Sequence, residues 1–431
     1  MPRQMKNSGI EWIGMIPDGW KVSKNKYLIS SLYSGGTPSS TDDSFYSEDG
    51  IPFVSIGDMS SVDYVYDTKK KVSLAGLENK NLRILTEGTI IYSIYATIGA
   101  ISELKIPATI SQAMLALVID NSMHSTYYKY NLRAMRDYIF FEANGNTQFN
   151  LNAEKVKNFW FVVPSSEEQR RIAEYLDMRC MHIDSVLEQT RNSIEEYKKL
   201  RQAVITQAVT KGIRGDRHMK DSNVEWLGDI PKDWTVYRIA NLYDERSENG
   251  LEELPILTVS INTGVSDHEI ADEDKDRVFV RSEDRTKYKR VYPGDLAYNM
   301  MRAWQGAFGA VRVDGMVSPA YVVAKPKKNI ELDSRYMEAL LRTSEATEEM
   351  HRYSRGIVDF RLRLYWPEFK NIRICLPPFA EQIEIADYID EKSAAIDALI
   401  AKKEAFAAEL ENYKKSMIYE YVTGKKEVPQ S

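Results

Sequence analysis

The chain has 431 residues, of which 57 are Lys or Arg, 63 are Asp or Glu and 43% are hydrophobic. These proportions are typical of globular proteins and exclude collagen-like, disulfide-stapled and intrinsically disordered chains. The length predicts about two to three domains, each large enough for its own core. The net charge of −6, taken over the whole chain, argues against a partner as anionic as nucleic acid.

No segment reaches the roughly 20 consecutive apolar residues that a membrane span needs. Arg3, Lys6 and Glu11 interrupt the start of the chain, where a signal peptide would be apolar. We therefore expect a cytoplasmic protein without a membrane partner. Cys180 and Cys375 belong to no CxxC or Cys/His cluster, so we expect packing roles for both, without a disulfide framework or structural zinc.

The sequence repeats itself once along its length. Residues 5–20 read MKNSGIEWIGMIPDGW and residues 219–234 read MKDSNVEWLGDIPKDW, with nine of sixteen positions identical. A second block, Glu168-Gln169 to Asp184, recurs 213 residues later as Glu381-Gln382 to Asp397. The chain is therefore one long duplication, in which each half has an opening segment (5–20 or 219–234), a globular region and a helix.

The globular regions, about 24–164 and 238–376, alternate short β-rich runs with turns and contain one helix near the end. In the first region the pattern predicts strands over 53–56, 90–95 and 114–118 and a helix over 126–141. In the second it predicts strands over 256–261, 296–300, 307–313 and 317–324 and a helix over 334–351.

Apolar residues at three- and four-residue spacing predict a long amphipathic helix at the end of each half. Ser165-x-x-Glu168 forms a capping box at the first start, and Lys211 with Gly212 indicates its end. From Ser165 to Thr210 this helix would contain 46 residues and measure about 70 Å. Such long seams favour helices that pack on other long helices, and the alternative is that each covers only its own domain.

The sequence contains no recognisable catalytic or metal-binding motif. GxG, P-loop and HxxxH patterns are all missing, so we expect no catalytic and no metal-binding residues. Leu376-Pro377-Pro378-Phe379 resembles the Asn-Pro-Pro-aromatic motif of amino-methyltransferases, but leucine cannot accept a hydrogen bond from the base amine. The prolines are instead expected to end a strand and begin a helix. Asp18 and Asp67-Thr68-Lys69 fit a divalent-metal nuclease pattern, but the repeat has Lys232 in place of Asp18, which favours a turn.

The segment 351–373 is the most basic in the chain, with a local charge of +4. Residues 360–364 alternate, which predicts a strand with Arg361 and Arg363 on one face. Arginine in this arrangement can bind guanine edges or phosphates. The alternative is a solvated face with local ion pairs.

The first globular region ends on an amide-rich run, residues 144–152, and Asn or Gln can bind adenine through two hydrogen bonds. The alternative is a polar loop whose Asn residues cap turns. The DNA-binding candidates of both regions are Thr37, Ser39, Ser93, Tyr95, Gln112, Asn144, Asn146, Gln148, Asn150, Asn299, Arg302, Trp304, Gln305, Arg352, Arg355, Arg361 and Arg363.

The opening segments, the run Gly35-Gly36-Thr37-Pro38-Ser39, residues 51–58 (IPFVSIGD) and the repeated Glu-Gln-x-x-Ile-Ala-x-Tyr block together resemble the specificity subunit of type I restriction-modification enzymes. The resemblance covers nearly the whole chain, and motif order, duplication and length all fit it. It implies an α+β fold: two β-rich α/β target-recognition domains joined by two long antiparallel, coiled-coil-like helices in an internal pseudo-two-fold repeat. The implied domains are 1–164 (first target recognition), 165–213 (first helical region), 214–376 (second target recognition) and 377–431 (second helical region and tail).

The resemblance also implies a non-catalytic, prokaryotic DNA-recognition subunit whose two domains each read half of an asymmetric bipartite site. The helices would set the spacer and dock two methyltransferase subunits, and restriction-translocase subunits would join the complex. S-adenosylmethionine, ATP and Mg²⁺ would bind those partners and not this chain. The candidates for partner docking are Glu168, Gln169, Tyr175, Ile183, Glu381, Gln382, Tyr388 and Ile396.

Two other hypotheses stay open at this point: a self-contained DNA-modifying or nicking enzyme with an unrecognised site, and a structural coiled-coil protein. The charge does not exclude DNA once it is divided by segment. It is 0 for residues 1–164, 0 for 165–213, −2 for 214–376 and −4 for 377–431. We therefore expect weak DNA binding by the chain alone, with base contacts from this chain and much of the backbone attraction from partners.

Overall fold

The computed structural model of the chain describes residues 3–139, 151–269, 287–357 and 361–429. The chain divides into two compact units: the first unit comprises Met1–Arg191 and Ala405–Ser431, and the second unit comprises Asn192–Glu404. Each unit contains one globular region and a part of each long helix. The domain boundaries predicted at residues 164, 213 and 376 lie at the ends of the helices, whereas the two compact units divide within them. The predicted domain boundaries stay a prediction.

The first unit contains two main sheets. One has the strand order β4-β11-β8-β9-β6 and the other β10-β5-β7, while β1 pairs with β2 and β3 with β12. These labels denote β1 Met5–Asn7, β2 Met15–Pro17, β3 Lys21–Lys24, β4 Ile29–Ser34, β5 Tyr46–Val54, β6 Tyr64–Val65, β7 Lys70–Val72, β8 Ile90–Ser93, β9 Ile101–Leu104, β10 Thr109–Ile110, β11 Met114–Ile119 and β12 Trp160–Val163. Pairing is antiparallel except for β5 with β10 and β6 with β9.

The central strand β8 is buried on both faces. Ile90 and Tyr92 pack into the core that includes the long helices, whereas Ile91 packs into a second core with Val54 and Met114. Alternate residues of a strand point to opposite faces, so an uninterrupted apolar run fits this position. Because both faces are covered, only the strand ends can present polar side chains to a ligand.

The second unit repeats this arrangement around the four-stranded sheet β16-β23-β20-β21. Its strands are β13 Met219–Asp221, β14 Asp229–Pro231, β15 Thr235–Arg238, β16 Tyr243–Glu245, β17 Val259–Ser260, β18 Gly264–Val265, β19 Lys289–Val291, β20 Leu296–Asn299, β21 Phe308–Ala310, β22 Gly315–Val317, β23 Tyr321–Pro326 and β24 Arg373–Leu376. Leu296 and Tyr298 of β20 face the core with the long helices, and Ala297 faces a smaller core. The strand β20 is thus the equivalent of β8.

Several predicted strands are shorter than their apolar runs. The run 53–56 ends in a turn of helix, because Ser55 and Asp58 form a capping box at Ile56. Only Val259–Ser260 of the run 256–261 is a strand. The run 317–324 is wrong as one strand, since β22 ends at Val317, a turn containing Pro319 follows, and β23 begins at Tyr321.

The shorter helices flank these sheets. The predicted helix over 126–141 is Ser125–Ala134, and its last residues lie outside the described part of the chain. The predicted helix over 334–351 is instead two helices, because Thr343 caps a new start by accepting a hydrogen bond from Ala346 N. The described helices of fewer than 12 residues are Ile56–Met59, Leu74–Asn79, Ser125–Ala134, Ala153–Lys157, Ile239–Leu242, Ser334–Leu341, Ser344–Tyr353 and Trp366–Phe369.

Two long helices confirm the strongest prediction. The first long helix is Ser166–Lys211, with 46 residues, and the second long helix is Phe379–Val422, with 44 residues. Gly212 follows the first with a φ of 78°, the left-handed conformation that glycine adopts at a helix end. The second starts directly after Leu376-Pro377-Pro378, so the prolines do separate a strand from a helix, as expected.

The long helices pair antiparallel within each unit. In the first unit Asp184 binds Lys414 and Arg191 binds Glu411. In the second unit Arg201 lies 3.5 Å from Asp397. Residue numbers rise along one helix as they fall along the other, which confirms the antiparallel arrangement and the α+β fold class.

No described helix is both long and apolar enough to span a membrane.

Candidate nucleic-acid interface

Each opening segment is fastened to the start of a long helix by a tryptophan and a glutamate. Trp20 Nε1 donates to Glu168 Oε2 at 3.0 Å, and Trp234 Nε1 donates to Glu381 Oε2 at 3.2 Å. Arg3 and Arg217 pair with the same carboxylates. Burial by itself would raise the pKa of Glu168, but hydrogen bonds from Arg3 and Trp20 lower it below the ordinary value.

The predicted capping box at Ser165 is only half formed. Glu168 N donates to Ser165 Oγ, as a capping box requires, but the Glu168 carboxylate contacts the Ser165 hydroxyl, Trp20 and Arg3. Glu381 is 3% exposed. These two glutamates therefore hold each half together internally, and Glu381 offers a partner almost no surface.

The glutamines that follow are also internal. Gln169 Oε1 accepts from His124 N at 2.8 Å, and its Nε2 donates to the carbonyls of Ser122 and Pro164. Gln382 repeats this in the second unit, accepting from Asp333 N at 3.0 Å and donating to Pro377 O. Both side chains are about 1% exposed. Each glutamine therefore joins a long helix to the first residues of a short helix, and partner docking by these two stays a prediction.

A buried tyrosine completes the connection in each unit. Tyr127 OH donates to Val162 O and Val422 O, and Tyr336 OH donates to Cys375 O and Val209 O. Burial raises the pKa of both tyrosines. Each globular region is therefore fixed to the start of one long helix and to the end of the other.

The remaining docking candidates lie on the helix pair. Ile183 and Ile396 are buried, at 5% and 8% exposure. Tyr175 packs obliquely on Tyr421, with ring centroids 4.7 Å apart. Burial, and to a lesser extent the hydrogen bond with Tyr175, raises the pKa of Tyr421 to about 12. Tyr388 is half-buried under Lys392. Partner docking by these residues stays a prediction.

In the first unit, several DNA-binding candidates meet at one end of the main sheet. Gln112 N donates to Thr37 Oγ1 at 3.3 Å, and Gly35 N donates to Met114 O. Ser39 and Gln112 are exposed. The loop after β4 and the residues before β11 therefore form one polar surface, which we name the first tip together with residues 93–97.

Ser93 and Tyr95 have different roles in the first tip. Ser93 is fully buried and its hydroxyl donates to Tyr95 O at 2.8 Å, so it supports the turn. Tyr95 is 47% exposed. Ala96 follows with a φ of 62°, a left-handed conformation that costs free energy for any residue with a Cβ. Non-glycine residues in such conformations cluster at functional sites.

The equivalent turn of the second unit, residues 299–306, is the second tip. Asn299 Oδ1 accepts from Met301 N at 3.0 Å, and Trp304 Nε1 donates to Met301 O at 3.2 Å. Arg302 and Trp304 are half-buried, and Gln305 is exposed. The polar side-chain groups of Asn299 and Trp304 thus form hydrogen bonds within the turn, whereas the side chain of Gln305 is accessible to a ligand.

Sequence reasoning missed Met301, which is 44% exposed at the second tip. The repeat itself contained the signal. Aligning GTIIYS (88–93) with GDLAYN (294–299) places Met301 opposite Tyr95.

The basic segment contacts the second tip, because Leu364 N donates to Met300 O at 2.8 Å. The predicted strand over 360–364 is wrong: the described residues form only an isolated β-bridge between Arg355 and Arg363. The predicted alternation holds, since Leu362 and Leu364 are buried while Arg361 and Arg363 are exposed.

The arginines of this segment differ in what they contact. Arg352 pairs with Glu225 at 3.0 Å, and Arg355 pairs with Glu368 at 2.5 Å. Arg363 is exposed and has no carboxylate partner within the described residues. Arginine presents a planar fork of donors that fits guanine or phosphate, so the exposed Arg363 has the chemistry to bind either group.

Four candidates, Asn144, Asn146, Gln148 and Asn150, lie outside the described residues. DNA contact by every candidate on both tips stays a prediction.

The comparisons with known proteins agree with this architecture. Residues 17–196 match a family model described as the type I restriction modification DNA specificity domain. The chain is 26% identical over 234 residues to the MjaIX specificity subunit of Methanocaldococcus jannaschii, a match that spans 53% of this chain and 53% of that subunit. It is 24% identical over 336 residues to the MjaVIII specificity subunit of the same organism, across 73% of this chain and 74% of the other. The chain thus spans about half the length of the first relative and three quarters of the second.

Two solved structures share the fold. One is a chain from a study of complex assembly and conformational transition of the type I R-M system, with a TM-score of 0.66 at 14% identity over 95% of this chain and 99% of that chain. The other is the HsdS subunit from Thermoanaerobacter tengcongensis, with a TM-score of 0.51 at 16% identity, covering 95% and 98%. At these identities the likeness concerns the fold alone. The specificity-domain match falls on the first half of a chain whose internal fastening recurs in the second half, and both relatives named above are specificity subunits of type I restriction enzymes.

Proposed function

We propose that this chain is the non-catalytic DNA-recognition subunit of a type I restriction-modification complex. Each tip reads one half of an asymmetric bipartite site, and the paired long helices set the spacer between the halves. The observation that carries the proposal is the repeated fastening, in which matching Trp-Glu, Gln and Tyr contacts join a globular region with its own tip to the long helices in each unit. Two globular regions that are held in the same way but carry different residues at their tips are suited to recognise two different half-sites.

The residues available at the tips support the asymmetry. The first tip offers Thr37, Ser39 and Gln112, which are neutral hydrogen-bonding groups. The second tip offers Gln305 and the neighbouring Arg363, and so adds a positive charge. Neutral amides favour adenine and arginine favours guanine, so the two tips should prefer different bases.

The proposed partners are double-stranded DNA, two methyltransferase subunits and restriction-translocase subunits. S-adenosylmethionine, ATP and Mg²⁺ are assigned to those subunits. The exposed faces of the long helices are the proposed docking surface, because Ile183, Ile396, Gln169, Glu381 and Gln382 are buried within the chain.

A methylation experiment tests the proposal. The full chain is produced with the methyltransferase subunit of its own system in a host without other DNA methylation, and modified positions are read across the genome. We expect one asymmetric bipartite motif, and in mobility-shift assays tight binding to that motif only when the methyltransferase is present. Product formation by this chain alone with Mg²⁺ and S-adenosylmethionine, or sequence-indifferent binding by the complex, would overturn the proposal.

A further inference from the structure

Each tip exposes an apolar side chain, which neither hydrogen bonding to bases nor electrostatic attraction to DNA explains. The strands β8 and β20 each lie between two neighbouring strands in their sheets. Each of them is followed by a tight turn. Two residues beyond the strand end, a large apolar side chain is exposed: Tyr95 at 47% and Met301 at 44%. A single exposed apolar residue is ordinary, but the same placement at two equivalent and otherwise diverged turns is a shared design.

At both positions the residue that ends the strand holds the backbone of the turn in place. In the first tip the Ser93 hydroxyl donates to Tyr95 O, and in the second tip the Asn299 carboxamide oxygen accepts from Met301 N. Different chemistry therefore fixes the same turn. The left-handed Ala96 and the bond from Trp304 Nε1 to Met301 O restrain the turns further. Such restraint lowers the backbone entropy lost when these turns bind a ligand.

Residues with hydrogen-bonding side chains lie near both positions. Ile94 N donates to Ala113 O, so Tyr95 and Gln112 are each one residue away from this backbone bond. Leu364 N donates to Met300 O, so Met301 and Arg363 are each one residue away from that bond. An apolar group flanked by donors matches the edge of a base pair, where polar atoms adjoin the thymine methyl and the base face.

We propose that Tyr95 and Met301 are apolar base-contacting residues, one for each half-site. This inference rests on the proposed function. A contact of this kind discriminates among bases but removes no phosphate charge, so its loss should relax one half of the recognition motif and leave the salt dependence of binding unchanged.

The test uses the full chain with its methyltransferase in the methylation-free host. Tyr95→Ala should raise methylation about tenfold at sites with one altered base in one half of the motif, and Met301→Ala should do so in the other half. Tyr95→Phe and Met301→Leu keep an apolar group and should keep the wild-type pattern. Tyr27→Ala and Leu251→Ala are matched controls, because those side chains are also exposed, at 69% and 44%, and belong to neither tip.

The outcomes separate this inference from the proposed function. An unchanged motif in both alanine variants, an equal loss over both halves, or an equal effect of the control substitutions would overturn it while the wild-type motif stands. A wild-type complex without a bipartite motif would overturn the proposed function itself. Should an alanine variant be insoluble, Tyr95→Gln and Met301→Gln test the same loss with side chains of similar length.

Discussion

Gly35 shows how a single residue shapes the first tip. A Cβ added there would lie 2.7 Å from the carbonyl carbon of Ser111 and closer still to the oxygens of Ser111 and Ile110. Backbone atoms cannot move aside as a flexible side chain can. The close approach of the loop after β4 to the residues before β11 therefore requires glycine at this position.

Gly35→Ala should lower the free energy of unfolding by about 1–3 kcal/mol through overpacking, and it should weaken recognition of the half-site that the first tip reads. Urea unfolding and the methylation motif measure the two effects. Gly19→Ala is the control, because an added Cβ there meets no atom within 4 Å. Equal stability of the two variants would contradict the steric argument.

Arg361 and Arg363 are exposed in the segment that contacts the second tip through the bond from Leu364 N to Met300 O. Alanine at either position should change recognition in one half-site only, by about 1–3 kcal/mol for the base concerned. Binding to a panel of targets with single base changes measures this. Arg352→Ala, which removes a cation already paired with Glu225, should leave the panel unchanged. If every base position weakens equally in the Arg363 variant, that arginine contacts phosphate.

At the scale of elements, the buried Gln382 connects the second long helix to the helix Ser334–Leu341. Gln382→Ala would leave Asp333 N and Pro377 O without their partner in a buried place, which should cost about 1–3 kcal/mol. Hydrogen exchange at 333–341 should accelerate along with the loss of global stability. Gln202→Ala serves as the control because that side chain is exposed on the first long helix. Unaltered exchange at 333–341 would show that the bond does not fix this junction.

A buried ion cluster connects the helix Ser125–Ala134 to β9. Glu103, 6% exposed, accepts from Lys129 at 2.9 Å and from Lys105 at 2.6 Å. Burial alone would raise the pKa of Glu103, but the two lysines lower it below the ordinary value. A carboxyl with a lowered folded-state pKa contributes stability above its unfolded pKa, and that contribution is lost as the pH falls through the folded value.

Glu103→Gln should therefore destabilise the chain at neutral pH, by about 3–5 kcal/mol because Lys129 loses its partner in the interior. The variant should also show a shallower loss of stability on acidification than the wild type. Denaturant unfolding from neutral to acid pH measures both. Glu174→Gln removes an exposed pair with Arg170 and should change neither. An identical acid slope for the Glu103 variant and the wild type would exclude this linkage.

For the whole molecule, the charge distribution predicts dependence on partners. The net charge is −6, and residues 377–431 account for −4 of it. Phosphate contacts from Lys and Arg make the logarithm of the binding constant fall with salt in proportion to their number. The chain alone should bind its target weakly and with a shallow salt slope, whereas the complex with methyltransferase should bind tightly with a steep one. Titrations at several salt concentrations compare them, and equal slopes would contradict the assignment of backbone contacts to the partner.

The sequence by itself determined the repeat, the two long helices and the resemblance to type I specificity subunits, because these depend on local patterns. Helical periodicity persists over many turns, and a duplicated motif is visible without coordinates. The burial of Leu362 and Leu364 also follows from the alternation in the sequence, whereas the strand predicted over 360–364 is wrong. Chain direction at turns such as that before Tyr321 depends on which strands pair, and strand pairing joins residues far apart in sequence.

Only the tertiary structure decided which polar residues face inward. Glu381 and Gln382 look like surface groups in a helix with charged neighbours, yet both are buried because Trp234 and Asp333 approach them from distant parts of the chain. Met301 is exposed for the converse reason, since the turn after β20 ends beyond the core. Burial is a property of contacts between distant segments, so local composition did not reveal it for these residues.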